Sequence, residues 1–148
     1  MDKLPPSVDV SVVLIRDANG RLLLDYNDEW MAFTLPMSKV HDLPPEVEGG
    51  PTAPESALAA AVRAAAEVLG RPLPPGALRE VVAEVPPYSR SLRDGKWKRY
   101  AFHVFSVTVN GTAHPLPGHV AVWLTPTDVE GLEPISPTVG TILRALPE

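Results

Sequence analysis

The segment from Trp97 to Val109 constrains this chain most. It alternates with the period of a β-strand, yet both alternating faces are apolar. Ala101, Phe105, Val107 and Val109 fall on one face, and Tyr100, Phe102 and Val104 on the other. A strand wetted on one side alternates apolar with polar; a strand apolar on both sides needs a covering layer above and below. The fold is therefore a sheet enclosed on two faces.

The rest of the chain supplies such layers. Val8 to Ile15 is β-branched and apolar, Asp17 to Gly20 is a turn, and Arg21 to Tyr26 is apolar again, which predicts a β-hairpin. Met31 to Leu35 reads as a short strand stopped by Pro36, and Met37 to Pro51 as a loop without periodicity, carrying Pro44, Pro45, Gly49, Gly50 and Pro51. Thr52 followed by Glu55 is a capping box, with Pro54 tolerated in the first turn. It opens a helix to Leu69 whose apolar stripe is Leu58, Val62, Ala65, Ala66 and Leu69. Gly70 is the C′ stop, with Pro72 beyond it. Ala77 to Val85 predicts a strand, Pro86 to Gly95 a loop, Asn110-Gly111 a tight turn, His119 to Leu124 a strand, and Thr125 to Leu132 a short helical turn. Ser136-Pro137 opens a last helix to about Leu146. The order β-β-β-α-β-β-β-α predicts an α/β fold, an α/β/α sandwich around a mixed central β-sheet. The 148 residues suit one domain, 1–148, with residues 1–7 as a short N-terminal tail.

Charge and composition narrow the partners. A net charge of −5 gives no general attraction to nucleic acid or anionic membrane. The absence of Cys removes disulfides and thiolate metal sites. No N-terminal stretch resembles a signal peptide, and the apolar runs fall far short of the ~20 residues that span a bilayer. The expectation is a soluble, cytoplasmic protein.

Gly49, Glu55, Arg63, Glu67 and Gly70 follow the spacing G-x5-E-x7-R-E-U-x-E-E-x-G-U, with U a bulky aliphatic residue. In this the chain resembles the Nudix superfamily. Trp30 to Pro36 also resembles the short strand ending in Leu-Pro that leads into the box in many members. Here Met37-Ser38 follow Leu35-Pro36 and Gly49-Gly50 come later, so the loop carries an insertion. Either pair could stand where the box glycines stand.

The resemblance implies a Nudix-like sandwich and hydrolysis of a diphosphate bond in a nucleoside diphosphate linked to another group. It implies Mg²⁺ or Mn²⁺ held by the glutamates after the arginine, and Glu67, Arg63 and Glu55 as the catalytic residues. A hard cation needs several oxygen ligands, polarises phosphate oxygens and acidifies the attacking water. Here Ala64 and Val68 occupy two of the three glutamate positions, and Glu67 alone is left for metal. The box is degenerate. The expected function is to bind a nucleoside-diphosphate-type ligand or a partner, with little or no hydrolysis. An active hydrolase would instead recruit Glu67, Glu55 and a loop carboxylate such as Glu46 or Glu48, with Glu84 and Glu130 as further candidates. Local roles compete: Glu67 lies at ion-pair spacing from Arg63, which could brace it, and Glu55 fits the capping box.

Tyr88 to Tyr100 is the basic segment. Its cations are Arg90, Arg93, Lys96, Lys98 and Arg99, interleaved with Tyr88, Trp97 and Tyr100. Such a mixture can hold a phosphate and stack a base. Arg90, Arg93, Lys96, Trp97, Lys98 and Tyr100 are therefore the candidate ligand contacts. The plainer reading is a solvated hairpin end whose charges discourage edge-to-edge pairing. A third function is an interaction module with a vestigial cleft, this segment meeting an acidic partner. His41, His103, His114 and His119 show no metal-ligand spacing, and His103 reads as a hydrogen-bonded core residue. Ser89 and Ser91 lack a G-x-S-x-G setting, and there is no glycine-rich phosphate loop. The implied partners are a nucleotide or diphosphate-containing small molecule, a protein, and by analogy a second copy of the chain.

Overall fold

A computed structural model describes residues 7–28, 31–43, 45, 47–82, 88–90, 97–110, 113 and 115–146. Its elements are β1 (Ser7–Arg16), β2 (Leu22–Asn27), β3 (Ala32–Thr34), β4 (Met37–Lys39), β5 (Asp42–Leu43), β6 (Ala53–Pro54), α1 (Ala57–Leu69), β7 (Arg79–Val81), β8 (Tyr88–Arg90), β9 (Trp97–Thr108), β10 (Ala121–Leu124), α2 (Pro126–Glu130) and α3 (Pro137–Ala145).

The main sheet has the order β10-β2-β1-β9-β7, with β3 added to β2, β4 to β1 and β8 to β9. β1 and β9 run parallel from Ser7↔Arg99 to Arg16↔Thr108, and the other pairs are antiparallel. The sheet is mixed, as expected. β1 gives its second edge to two neighbours: Arg16 meets Leu22 of β2, and Val10 to Val12 meet β4.

Each face has its own core. Val13, Ile15, Leu23, Phe105, Val107 and Val109 pack with Ala61, Ala64, Ala65, Val68 and Leu69 of α1. Val10, Val12, Leu14, Leu22, Leu24 and Val104 pack with Val129 of α2 and with Val139 and Ile142 of α3. The two apolar faces of β9 are thereby explained, and the α/β/α sandwich is the observed architecture. The β1–β2 turn is held by Asp17, whose Oδ1 accepts from the amides of Asn19 and Arg21 and whose Oδ2 accepts from Arg21 Nε.

Several local expectations need correction. Met37 to Pro51 is not one loop. Met37–Lys39 completes the ladder on β1, and Asp42–Leu43 pairs with Ala53–Pro54 in a separate exposed ladder. Strands this short carry no period to detect. The helix cap is Ser56, whose hydroxyl accepts from Ala59 N at 3.0 Å, and not Thr52, which precedes β6. Glu55 is drawn to His41 and Arg63 instead of completing a capping box. The buried stripe of α1 is Ala60, Ala61, Ala64, Ala65, Val68 and Leu69, while Leu58 and Val62 are only half-buried. Side-chain size misled here: the sheet approaches the alanine face, and the larger residues flank it. Within the expected Pro86–Gly95 loop, Tyr88–Arg90 form β8. The expected strand over Ala77–Val85 is shorter, with β7 following a 3-10 turn at Pro75–Ala77. Residues 83–87 lie outside the described residues, as does Gly111 of the expected Asn110-Gly111 turn. His103 is hydrogen-bonded, to Asp9 at 3.2 Å, but its side chain is part-exposed and not in the core.

Candidate functional site

α1 is fixed at both ends. Ser11, wholly buried on β1, donates its hydroxyl to Ala57 O at 2.6 Å. Gly70 adopts φ +74 and returns its amide to Ala66 O at 2.8 Å, the left-handed stop that glycine accepts without penalty. The helix thus presents its side chains at set positions on one face of the sheet.

Arg63 and Glu55 form the first constellation. Arg63 Nη1 lies 2.6 Å from Glu55 Oε1 and 2.7 Å from Oε2. Arg63 Nη2 donates to Ser38 Oγ at 2.8 Å and to Lys39 O at 2.9 Å. Glu55 Oε1 also accepts from His41 N at 2.8 Å. Burial alone would raise the Glu55 carboxyl pKa; the His41 amide and the Arg63 guanidinium outweigh it and hold the value below 4.5. The cluster ties α1 to β4, and both Glu55 oxygens are used in doing so.

The same contacts close the β5–β6 hairpin. Glu55 N donates to His41 O at 2.7 Å, so residues 42–54 leave and re-enter the fold at one point. Gly49 lies in the exposed turn of this excursion at φ +76. Met37-Ser38 lie on β4, and Ser38 contacts Arg63 directly.

Glu67 belongs to a second constellation. Arg63 points toward Glu55 and β4, and the i, i+4 ion pair with Glu67 does not form. Glu67 Oε2 lies 3.5 Å from His119 Nε2, and its side chain is 41% exposed. His119 Nδ1 lies 2.7 Å from Asp25 Oδ2. A carboxylate only accepts, so this bond puts the proton on Nδ1. Asp25 Oδ1 accepts from Val120 N at 3.1 Å. The backbone supports the arrangement: Leu116 N donates to Glu67 O, and His119 N to Leu116 O. Thr34, across the ladder from Asp25, is 3% exposed, and its hydroxyl has no partner among the described residues. Sequence reading missed this group. Asp25 and His119 are 94 positions apart and meet only because β10 pairs with β2.

Metal is the chemistry that the resemblance implies, and the described residues do not fit it. Ala64 and Val68 are each 2% exposed and sit in the core against the sheet. That leaves Glu67 and the His119 ring, where Mg²⁺ would take an octahedron of oxygens. Among the described residues no group of three or more His, Cys, Asp or Glu side chains could hold a metal ion. Glu48 lies in the exposed turn between β5 and β6, and Glu130 lies on α2, on the opposite layer from Glu67. Glu46 and Glu84 lie outside the described residues.

Of the basic segment, Arg93 and Lys96 lie outside the described residues. The β8–β9 register sets Arg90 opposite Trp97, Ser89 opposite Lys98 and Tyr88 opposite Arg99. Tyr100 is half-buried against the α3-side core, its ring 5.6 Å from that of Phe102.

No protein-family model matches the chain, and no curated protein matches it in sequence. Solved structures do resemble it. A MutT protein from Methanosarcina mazei Go1 superposes with a TM-score of 0.70 at 18% identity, over 97% of this chain and 95% of that one. The binary complex of a C. elegans Ap4A hydrolase gives 0.62 at 18% identity, over 93% of each chain. The complex of the C-terminal domain of mouse MUTYH with human PCNA gives 0.60 at 15% identity, over 93% of this chain and 86% of that one. The chain has the Nudix fold.

Proposed function

We propose that this chain binds a nucleoside-diphosphate-type ligand on a Nudix fold, with little or no metal-dependent hydrolysis. One observation carries the reading: Ala64 and Val68 are core residues, each 2% exposed, at positions where the degenerate box would need carboxylates. Glu67 alone offers oxygen from that part of α1. Recruitment of Glu55 as a replacement ligand is disfavoured because Arg63 and His41 already occupy both of its oxygens. The phosphates would be held by Arg90, Arg93, Lys96 and Lys98, with Trp97 and Tyr100 as stacking surfaces. The likeness to an Ap4A hydrolase supports a nucleotide-type ligand.

A second reading has one specific support. The MUTYH domain with this fold is seen in a complex with PCNA, which favours a protein partner for this chain. A cytoplasmic location belongs to the proposal on the sequence reading, and a homodimer on analogy alone. Among the described residues no helix is long and apolar enough to cross a membrane.

The test is thermal stability against diadenosine tetraphosphate, ADP-ribose and UDP-glucose, with and without Mg²⁺ or Mn²⁺. A ligand that binds only the folded state raises the midpoint by mass action. The expected result is a rise that metal does not change. A rise that appears only with metal would overturn the reading, and no rise with any of them would favour the partner.

A further inference from the structure

A groove of about 630 Å³ lies on the layer opposite Glu67 and His119, where the end of the β1–β2 hairpin faces α2 and α3. Its size is in the range of small-molecule sites. The floor is apolar, with Leu22 and Val129 each 5% exposed and Val139 wholly buried. Two arginines line it from different elements, Arg16 at the end of β1 and Arg144 on α3. Among the described residues neither side chain makes a hydrogen bond or an ion pair. Among the described residues the one carboxylate in the lining is Glu130, so that wall carries a formal charge of +1.

Gly140 shows how the wall is built. Glycine inside a helix lowers its stability, and Gly140 does not adopt the left-handed conformation that would require it. The space over its Cα is taken by the Arg144 guanidinium: a Cβ placed there would lie 2.9 Å from Arg144 Nη1. The missing side chain lets the arginine fold back one turn along the helix and face the groove.

We propose that this groove binds a small free monoanion, a carboxylate carried on an apolar frame. The apolar floor takes the frame, and the two guanidinium groups take the carboxylate through charge-assisted hydrogen bonds. A net charge of +1 matches one negative charge and not a phosphate dianion. The groove shares no lining residue with the proposed nucleotide contacts and does not depend on them.

The probe is 2-naphthoate, titrated calorimetrically beside the neutral 2-naphthylmethanol and inorganic phosphate. The wild-type protein is expected to bind 2-naphthoate at least about tenfold more tightly than the alcohol, and phosphate weakly. Arg16→Gln with Arg144→Gln should erase the difference and leave binding of the alcohol unchanged. Gly140→Ala separates binding from folding: it should raise the thermal midpoint by restoring helix propensity and weaken 2-naphthoate by displacing Arg144. Equal affinity for acid and alcohol, or acid binding that survives both the double substitution and Gly140→Ala, would overturn the proposal. So would tighter binding of phosphate than of 2-naphthoate.

Discussion

Asp25 Oδ2 accepts the Nδ1 proton of His119 at 2.7 Å, and this bond turns the other ring nitrogen toward Glu67. It joins β2 to the segment before β10 and sets which groups face the exposed end of Glu67. Asp25→Asn keeps the shape but replaces an acceptor-only group with an amide that can donate. The Nδ1 proton should then be lost or shared, visible in the ring ¹⁵N shifts of His119, and stability should fall by about 1–2 kcal/mol in urea. Unchanged ring shifts would mean that Asp25 does not set the tautomer.

Arg63→Ala leaves the Glu55 carboxylate, 8% exposed, without its cation, and Ser38 and Lys39 without their donor. The expected loss is about 2–3 kcal/mol. A purely superficial pair would cost well under 1 kcal/mol, so a small loss in urea unfolding would show that the cluster does not tie α1 to β4.

Acid should reveal the same cluster. The folded-state pKa of Glu55 is held below 4.5 and that of Asp17 below 3.8, so each stabilises the fold above its ordinary value. That contribution is lost as pH falls through the depressed folded-state values. Stability should be level from pH 7 to about 5 and decline below about 4.5, and Arg63→Ala should decline less steeply there. A wild-type curve with no steeper acid limb than the variant would contradict this.

Placing glutamates at positions 64 and 68 should not create a metal site. Val68→Glu or Ala64→Glu would push a charge among Val13, Leu23 and Phe105. The cost of burying an unpaired carboxylate exceeds about 3 kcal/mol. The expected outcome is a large drop in thermal midpoint with no gain of Mg²⁺-dependent stability. A well-folded variant that Mg²⁺ stabilises would show that these positions reach solvent.

Much of this was legible in the sequence, for identifiable reasons. The two-faced pattern of Trp97 to Val109 is a long-range signal, because both covering layers must answer it, and α1 and α3 do. Gly70 and Ser136 mark helix ends by local chemistry that survives any tertiary context. Ser56 was passed over because Thr52 and Glu55 imitate a capping box, and only the meeting of Glu55 with His41 and Arg63 removes Glu55 from that role. Ala64 and Val68 were visible as departures from the resembled spacing, but their depth was not, since helix rotation depends on which face the sheet approaches. The Asp25–His119–Glu67 group carries no local signal, because strand pairing assembles it.

The β5–β6 hairpin should be dispensable. Its base is already closed by Glu55 N to His41 O, the geometry a two-residue turn can replace. Exchanging residues 42–54 for Asn-Gly should leave the thermal midpoint within about 3 °C, near the effect of 1 kcal/mol in a domain of this size. A larger fall would mean that the excursion supports α1 beyond its base.

The most direct test is turnover. Wild-type protein and Glu67→Gln would be incubated with diadenosine tetraphosphate, ADP-ribose and UDP-glucose in Mg²⁺ and in Mn²⁺, and products followed chromatographically. The prediction is no metal-dependent cleavage by either protein, with ligand binding still measurable by thermal shift. Metal-dependent cleavage by the wild type that Glu67→Gln abolishes would contradict the central claim, because a working metal site would then exist around Glu67 without carboxylates at positions 64 and 68.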